Sequence, residues 1–127
     1  MWRSLMRNLD LECADLGRSL AAIADENHKV KPKELEKLLT DALSVLEEQG
    51  LYAFFLFLKV REKDDGTISE KCAAFLRKQV LLGEGKLFPA LSKLADNLDN
   101  LLFARELLRQ VLVYARYHVK ARRGETA

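Results

Sequence analysis

Apolar residues along this chain recur every three or four positions and almost never alternate, which is the period of helices and not of strands. Leu5, Leu9, Cys13, Leu16, Leu20 and Ile23 trace one stripe, predicting a first helix that stops around Asp25-Glu26-Asn27-His28-Lys29. A polar loop, Lys29-Val30-Lys31, precedes Pro32, whose missing N–H suits the first turn of a second helix. Leu35, Leu38, Leu39, Ala42, Leu43 and Leu46 form the apolar face of that helix, and Gly50 is its natural stop. The spacing predicts that Gly50 closes it in the left-handed conformation, with Leu51 folding back as the apolar contact of the cap.

A third helix, the most apolar, is predicted from about Leu51 to Arg61, limited by the Glu62-Lys63-Asp64-Asp65-Gly66 turn. Thr67 and Glu70 have capping-box spacing and open a fourth helix, with Cys72, Phe75, Leu76, Val80 and Leu82 toward its core and Gly83-Glu84-Gly85 at its end. Leu87, Leu91, Leu94 and Leu98 predict a short fifth helix opened by Pro89. Either Asp96-Asn97 or Asp99-Asn100 then caps a long last one. β-branched residues are sparse, and the expected fold is all-α: a compact single-domain bundle of about six helices over residues 1–127.

Composition narrows the function classes. The 127 residues are 49% hydrophobic and 31% charged, the balance of one globular domain. With 21 Lys+Arg against 19 Asp+Glu, whole-chain charge does not select a nucleic-acid or membrane surface. The longest apolar run, Leu51 to Leu58, is far short of the roughly 20 residues of a spanning helix. Met1 to Arg7 is too interrupted for an export signal, so the expected location is cytoplasmic. Cys13 and Cys72 lie on apolar stripes and read as buried reduced thiols. His28 and His118 have no companion at metal-ligand spacing, and Gly83-Glu84-Gly85-Lys86 lacks the strand and the remaining positions of a phosphate loop. An Arg followed by His after four to six residues, the motif of a helical ribonuclease of the HEPN type, does not occur. No cofactor, metal, small-molecule substrate or catalytic residue is expected.

One charge pattern stands out. Residues 101–123 carry Arg105, Arg109, Arg116, Lys120, Arg122 and Arg123 against the single acid Glu106. At about 100° per residue, Arg105, Arg109, Arg116, Lys120 and Arg123 share a stripe roughly 60° wide. Phe103, Ala104, Leu107, Leu108, Val111, Leu112, Tyr114, Ala115 and Val119 cover the adjoining half. Such a helix spreads its cations over roughly 30 Å, enough to follow several backbone phosphates. Offsetting the helix dipole also accounts for Lys120, Arg122 and Arg123, but does less for Arg105 and Arg109, which lie well away from that terminus. Cations without clustered aromatics position a nucleic acid and do not read its sequence. Tyr117 is the one stacking candidate.

Two segments together resemble the small subunit of type III-B CRISPR effector complexes, the Cmr complexes. The first is Leu39 to Leu58, an apolar helix, a Gly50-Leu51 step and then Phe54, Phe55, Phe57 and Leu58; the second is Leu101 to Lys120, with Arg105-Glu106 followed by Tyr114 and Arg116. The resemblance implies a non-catalytic helical subunit that stacks with copies of itself and with larger subunits. It also implies contact with guide RNA and target RNA through Arg105, Arg109, Arg116 and Lys120, with Arg77 and Lys78 on the fourth helix as further candidates. The basic stripe adds Arg123. Glu47-Glu48-Gln49 departs from the more basic helix end of that family, and Arg3, Arg7 and Arg18 are interleaved with Asp10, Glu12 and Asp15. A helical adaptor or homodimer that binds protein alone is the competing expectation, with membrane attachment through the last helix a weaker one.

Overall fold

The computed structural model describes residues 2–26, 30–62 and 66–126, with side chains described for 8–25, 30–62 and 66–123. The fold is all-α, with no strand among the described residues. Its helices are α1 (Trp2–Ala21), the single-turn α2 (Ile23–Glu26), α3 (Pro32–Gln49), α4 (Leu51–Arg61), α5 (Thr67–Lys78), α6 (Leu87–Leu94) and α7 (Leu98–Thr126). Contacts group the chain into two compact units, residues 1–41 with 110–127 and residues 42–109. Of the predicted features, Leu5 lies outside the described side chains, and His28, Lys29 of the polar loop and residues 63–65 of the predicted turn lie outside the described residues.

In the first unit, Cys13, Gly17, Leu20 and Ala21 give α1 a buried face of mostly small residues. A Cβ at Gly17 would sit 2.7 Å from the Tyr114 Cβ and 2.8 Å from the Ala115 nitrogen, so α1 meets α7 at backbone distance, which only glycine permits. Where one unbroken first helix was expected, Ala22 forms a turn and Ile23 belongs to α2. The Asp25 N–H bonds to the Ala22 carbonyl, and this three-residue step breaks the α-helical ladder.

The second unit is centred on α4. Leu51, Phe54, Phe55 and Leu58 are buried, and the Phe54 and Phe55 rings meet edge to face at 5.1 Å. Phe57 is only half-buried and carries the Arg61 guanidinium 5.2 Å over its ring. Gly50 does separate α3 from α4, but at φ 100 and ψ −175, so the predicted left-handed cap is replaced by a backbone region essentially reserved for glycine. Its N–H bonds to the Val45 and Leu46 carbonyls, closing α3, while Leu51 is buried at the start of α4.

Three helix boundaries correct the sequence reading. At the start of α5, Thr67 lies inside the helix after a left-handed Gly66 that supplies no side-chain cap. The capping acid is Glu62, whose two carboxylate oxygens accept the Ile68 and Ser69 N–H groups, each at 3.0 Å. Glu62 lies four residues ahead of Gly66 in the chain and approaches the helix end from outside, leaving the Thr67 and Glu70 pairing unused. At its other end α5 stops at Lys78, ahead of the predicted glycines. Val80 takes φ 60 and stands 88% exposed instead of in the core. The Leu81 N–H reaches the Leu76 carbonyl and the Val80 N–H the Arg77 carbonyl, both at 2.9 Å, a Schellman cap with valine in the glycine position. Leu98 is also exposed, in the first turn of α7 and not on the fifth predicted helix; of the two candidate caps the Asn97 side chain fills the role, accepting the Asn100 N–H at 3.1 Å.

Candidate nucleic-acid interface

Helical periodicity turns the cations of α7 away from its buried residues Ala104, Leu107, Leu108, Val111, Leu112, Ala115 and Val119. Phe103, expected on that packed side, is exposed. Most of these cations are occupied within the chain.

In the unit of residues 42–109, Arg105 donates to the main-chain carbonyl of Glu47 near the C-terminus of α3, where carbonyls lack helical partners. Arg109 lies 3.7 Å from the Glu47 carboxylate and 3.4 Å from that of Glu106. Arg77 is likewise committed, its Nε and terminal N–H groups donating to the Gly83 and Gly85 carbonyls at 3.0 and 2.9 Å. Lys78 is exposed at the end of α5. No sequence signal marks Arg77 as a loop brace, because its acceptors are backbone groups.

In the unit containing residues 110–127, Arg122 pairs with Asp25 and Arg123 with Glu36. Arg116 and Lys120 differ. Among the described residues neither has an acidic partner, and the Arg116 Nε is buried without a hydrogen-bond acceptor. Lys120 is exposed one turn further on, and Tyr117 is exposed beside them. Tyr114 is tied down: its hydroxyl donates to the Asp10 carboxylate at 2.8 Å, and that bond raises its pKa above the usual 10.0.

Cys13 and Cys72 are buried cysteines that form no disulfide. Burial, followed by the charges of Asp10 and Glu12, pushes Cys13 up to about 12. Burial, followed by Glu62, does the same to Cys72. A thiol kept protonated is a poor nucleophile and metal ligand. Among the described residues no group of three His, Cys, Asp or Glu side chains could hold a metal ion, and no helix is long and apolar enough to cross a membrane. No protein-family profile, curated protein or solved structure matches this chain.

Proposed function

We propose that this chain is a non-catalytic small subunit of a type III-B CRISPR ribonucleoprotein, cytoplasmic, helping to assemble the complex and to hold guide and target RNA by the phosphate backbone. Arg116 with Lys120 carries the reading: two cations one turn apart, without acidic partners among the described residues, where the neighbouring arginines are neutralised. An uncompensated guanidinium and ammonium favour anions, and phosphate is the anion an RNA presents in series. The helices on either side of Gly50 and the long α7 are the segments on which the resemblance to that family rests.

The expected result is weak, salt-sensitive binding of labelled single-stranded RNA in an anisotropy titration. Each phosphate contact contributes about −0.7 to the slope of log K against log salt. The double substitution R116A/K120A is expected to lower affinity about tenfold at low salt with an unchanged helical CD spectrum, and unchanged affinity rejects RNA contact at these residues. Purification of the tagged chain from its host is expected to recover larger subunits and short RNAs sharing a repeat-derived end.

A protein-only adaptor is favoured by a different observation. Tyr52, Leu56 and Val60 follow one another at four-residue steps on α4 and are 48%, 47% and 78% exposed. Such a ridge suits packing against another helix. Salt-insensitive self-association in sedimentation, without any RNA response, selects that reading instead.

A further inference from the structure

In the unit of residues 42–109, an open cleft of about 540 Å³ is lined by Glu47, Leu102, Arg105, Glu106 and Arg109. Two arginines one helical turn apart are the spacing expected of a backbone-phosphate clamp, yet here Glu47 engages both and two glutamate carboxylates flank Arg109. Glu47 contributes twice. Its main-chain carbonyl accepts from Arg105, and its carboxylate lies 3.7 Å from the Arg109 Nε. Glu106 sits 3.4 Å from the other side of the same guanidinium. All three charged side chains of the Arg109 cluster are 43% to 66% exposed, so water and ions reach them. Exposed ion pairs of this kind hold weakly and are screened by salt, which makes them exchangeable for another anion.

We infer that the Glu47 carboxylate is an electrostatic latch, standing where an RNA phosphate would sit against Arg109 and lowering RNA affinity at this cleft until it is displaced. The inference rests on the RNA-binding reading. A backbone phosphodiester offers the guanidinium two oxygens sharing one negative charge, as a carboxylate does, so it can take the carboxylate's place. Opening the latch requires only that the Glu47 side chain swing into solvent, because the Arg105 bond uses the main chain and survives. Glu47, at the acidic end of α3, thereby acquires a role: it tunes this cleft.

The test compares wild type, E47Q, E48Q, R109A and E47Q/R109A in anisotropy titrations with a fluorescein-labelled single-stranded oligouridylate over a salt series. E47Q keeps the side chain's shape and removes its charge. It is expected to bind about three- to tenfold tighter at low salt, with a slope steeper by about 0.7, the value of one additional phosphate contact. E48Q makes the same change in net charge at an exposed neighbour and is expected to stay within about twofold of wild type, since Glu48 is not part of the cleft. The gain of E47Q is expected to vanish in E47Q/R109A. A wild type that binds while E47Q binds no tighter overturns the latch alone, as does a gain that persists without Arg109 or is matched by E48Q. Absence of RNA binding by both wild type and E47Q overturns the latch together with the RNA-binding reading.

Discussion

Val80 shows how a single side chain can oppose the backbone around it. Two capping hydrogen bonds at 2.9 Å hold it at φ 60, where a β-branched side chain crowds its own carbonyl. Being 88% exposed, it recovers little through packing. Val80→Gly is therefore expected to stabilise the protein by about 1 kcal/mol, read as an increased midpoint in urea denaturation. Gly17 has the opposite profile. A glycine inside a helix is intrinsically unfavourable, and Gly17→Ala improves helix propensity by about 1 kcal/mol. The new Cβ, however, meets the backbone of α7 at 2.8 Å, and main chain cannot yield as a flexible side chain does. A net loss of about 1–3 kcal/mol is expected in the same urea assay. Neither outcome is legible from local propensity: valine looks harmless at position 80, and alanine looks like an improvement at position 17.

At the level of elements, the interiors of the helices follow from periodicity, whereas their ends depend on groups brought from elsewhere. The limits of α4 agree with the sequence reading because a glycine stands before it and the charged sequence Glu62-Lys63-Asp64-Asp65-Gly66 follows it. The start of α5 does not use its own capping box, since Glu62 satisfies two of its first N–H groups through both carboxylate oxygens. Glu62→Ala removes both acceptors, and the expected loss is about 1–2 kcal/mol in chemical denaturation, while Thr67→Ala is expected to change stability by less than about 0.5 kcal/mol. Equal effects at the two positions would return the cap to Thr67. Arg77 illustrates the same principle at the other end of α5, where it braces the carbonyls of Gly83 and Gly85.

For the molecule as a whole, the buried thiols set an alkaline limit. In the unfolded chain Cys13 and Cys72 ionise near their ordinary 9.0, but in the folded protein only at about 12. Between those values the unfolded state binds fewer protons than the native state, so unfolding free energy falls as pH rises. The Tyr114 phenol, raised chiefly by its bond to Asp10, acts in the same direction above its usual 10.0. Urea midpoints are expected to fall steadily from pH 9 upward, less steeply in Cys72→Ala. A flat profile would show that the thiols are not protected. Both thiols should also react slowly with a disulfide reagent until the protein is unfolded.

The all-α class, the extent of α4, the break at Gly50 and the existence of a cationic last helix were determined by the sequence alone, because each depends on local periodicity or on the conformational range of one residue. The partners of the cations were decided only by tertiary structure. Arg105, Arg109, Arg122 and Arg123 are paired with groups on other helices or, for Glu106, one turn back, and Arg116 and Lys120 are left without acids among the described residues. Helical spacing places a charge on a face, but whether that charge is available depends on what folding brings within a few ångströms of it, and Coulomb attraction acts over that distance rather than along the chain.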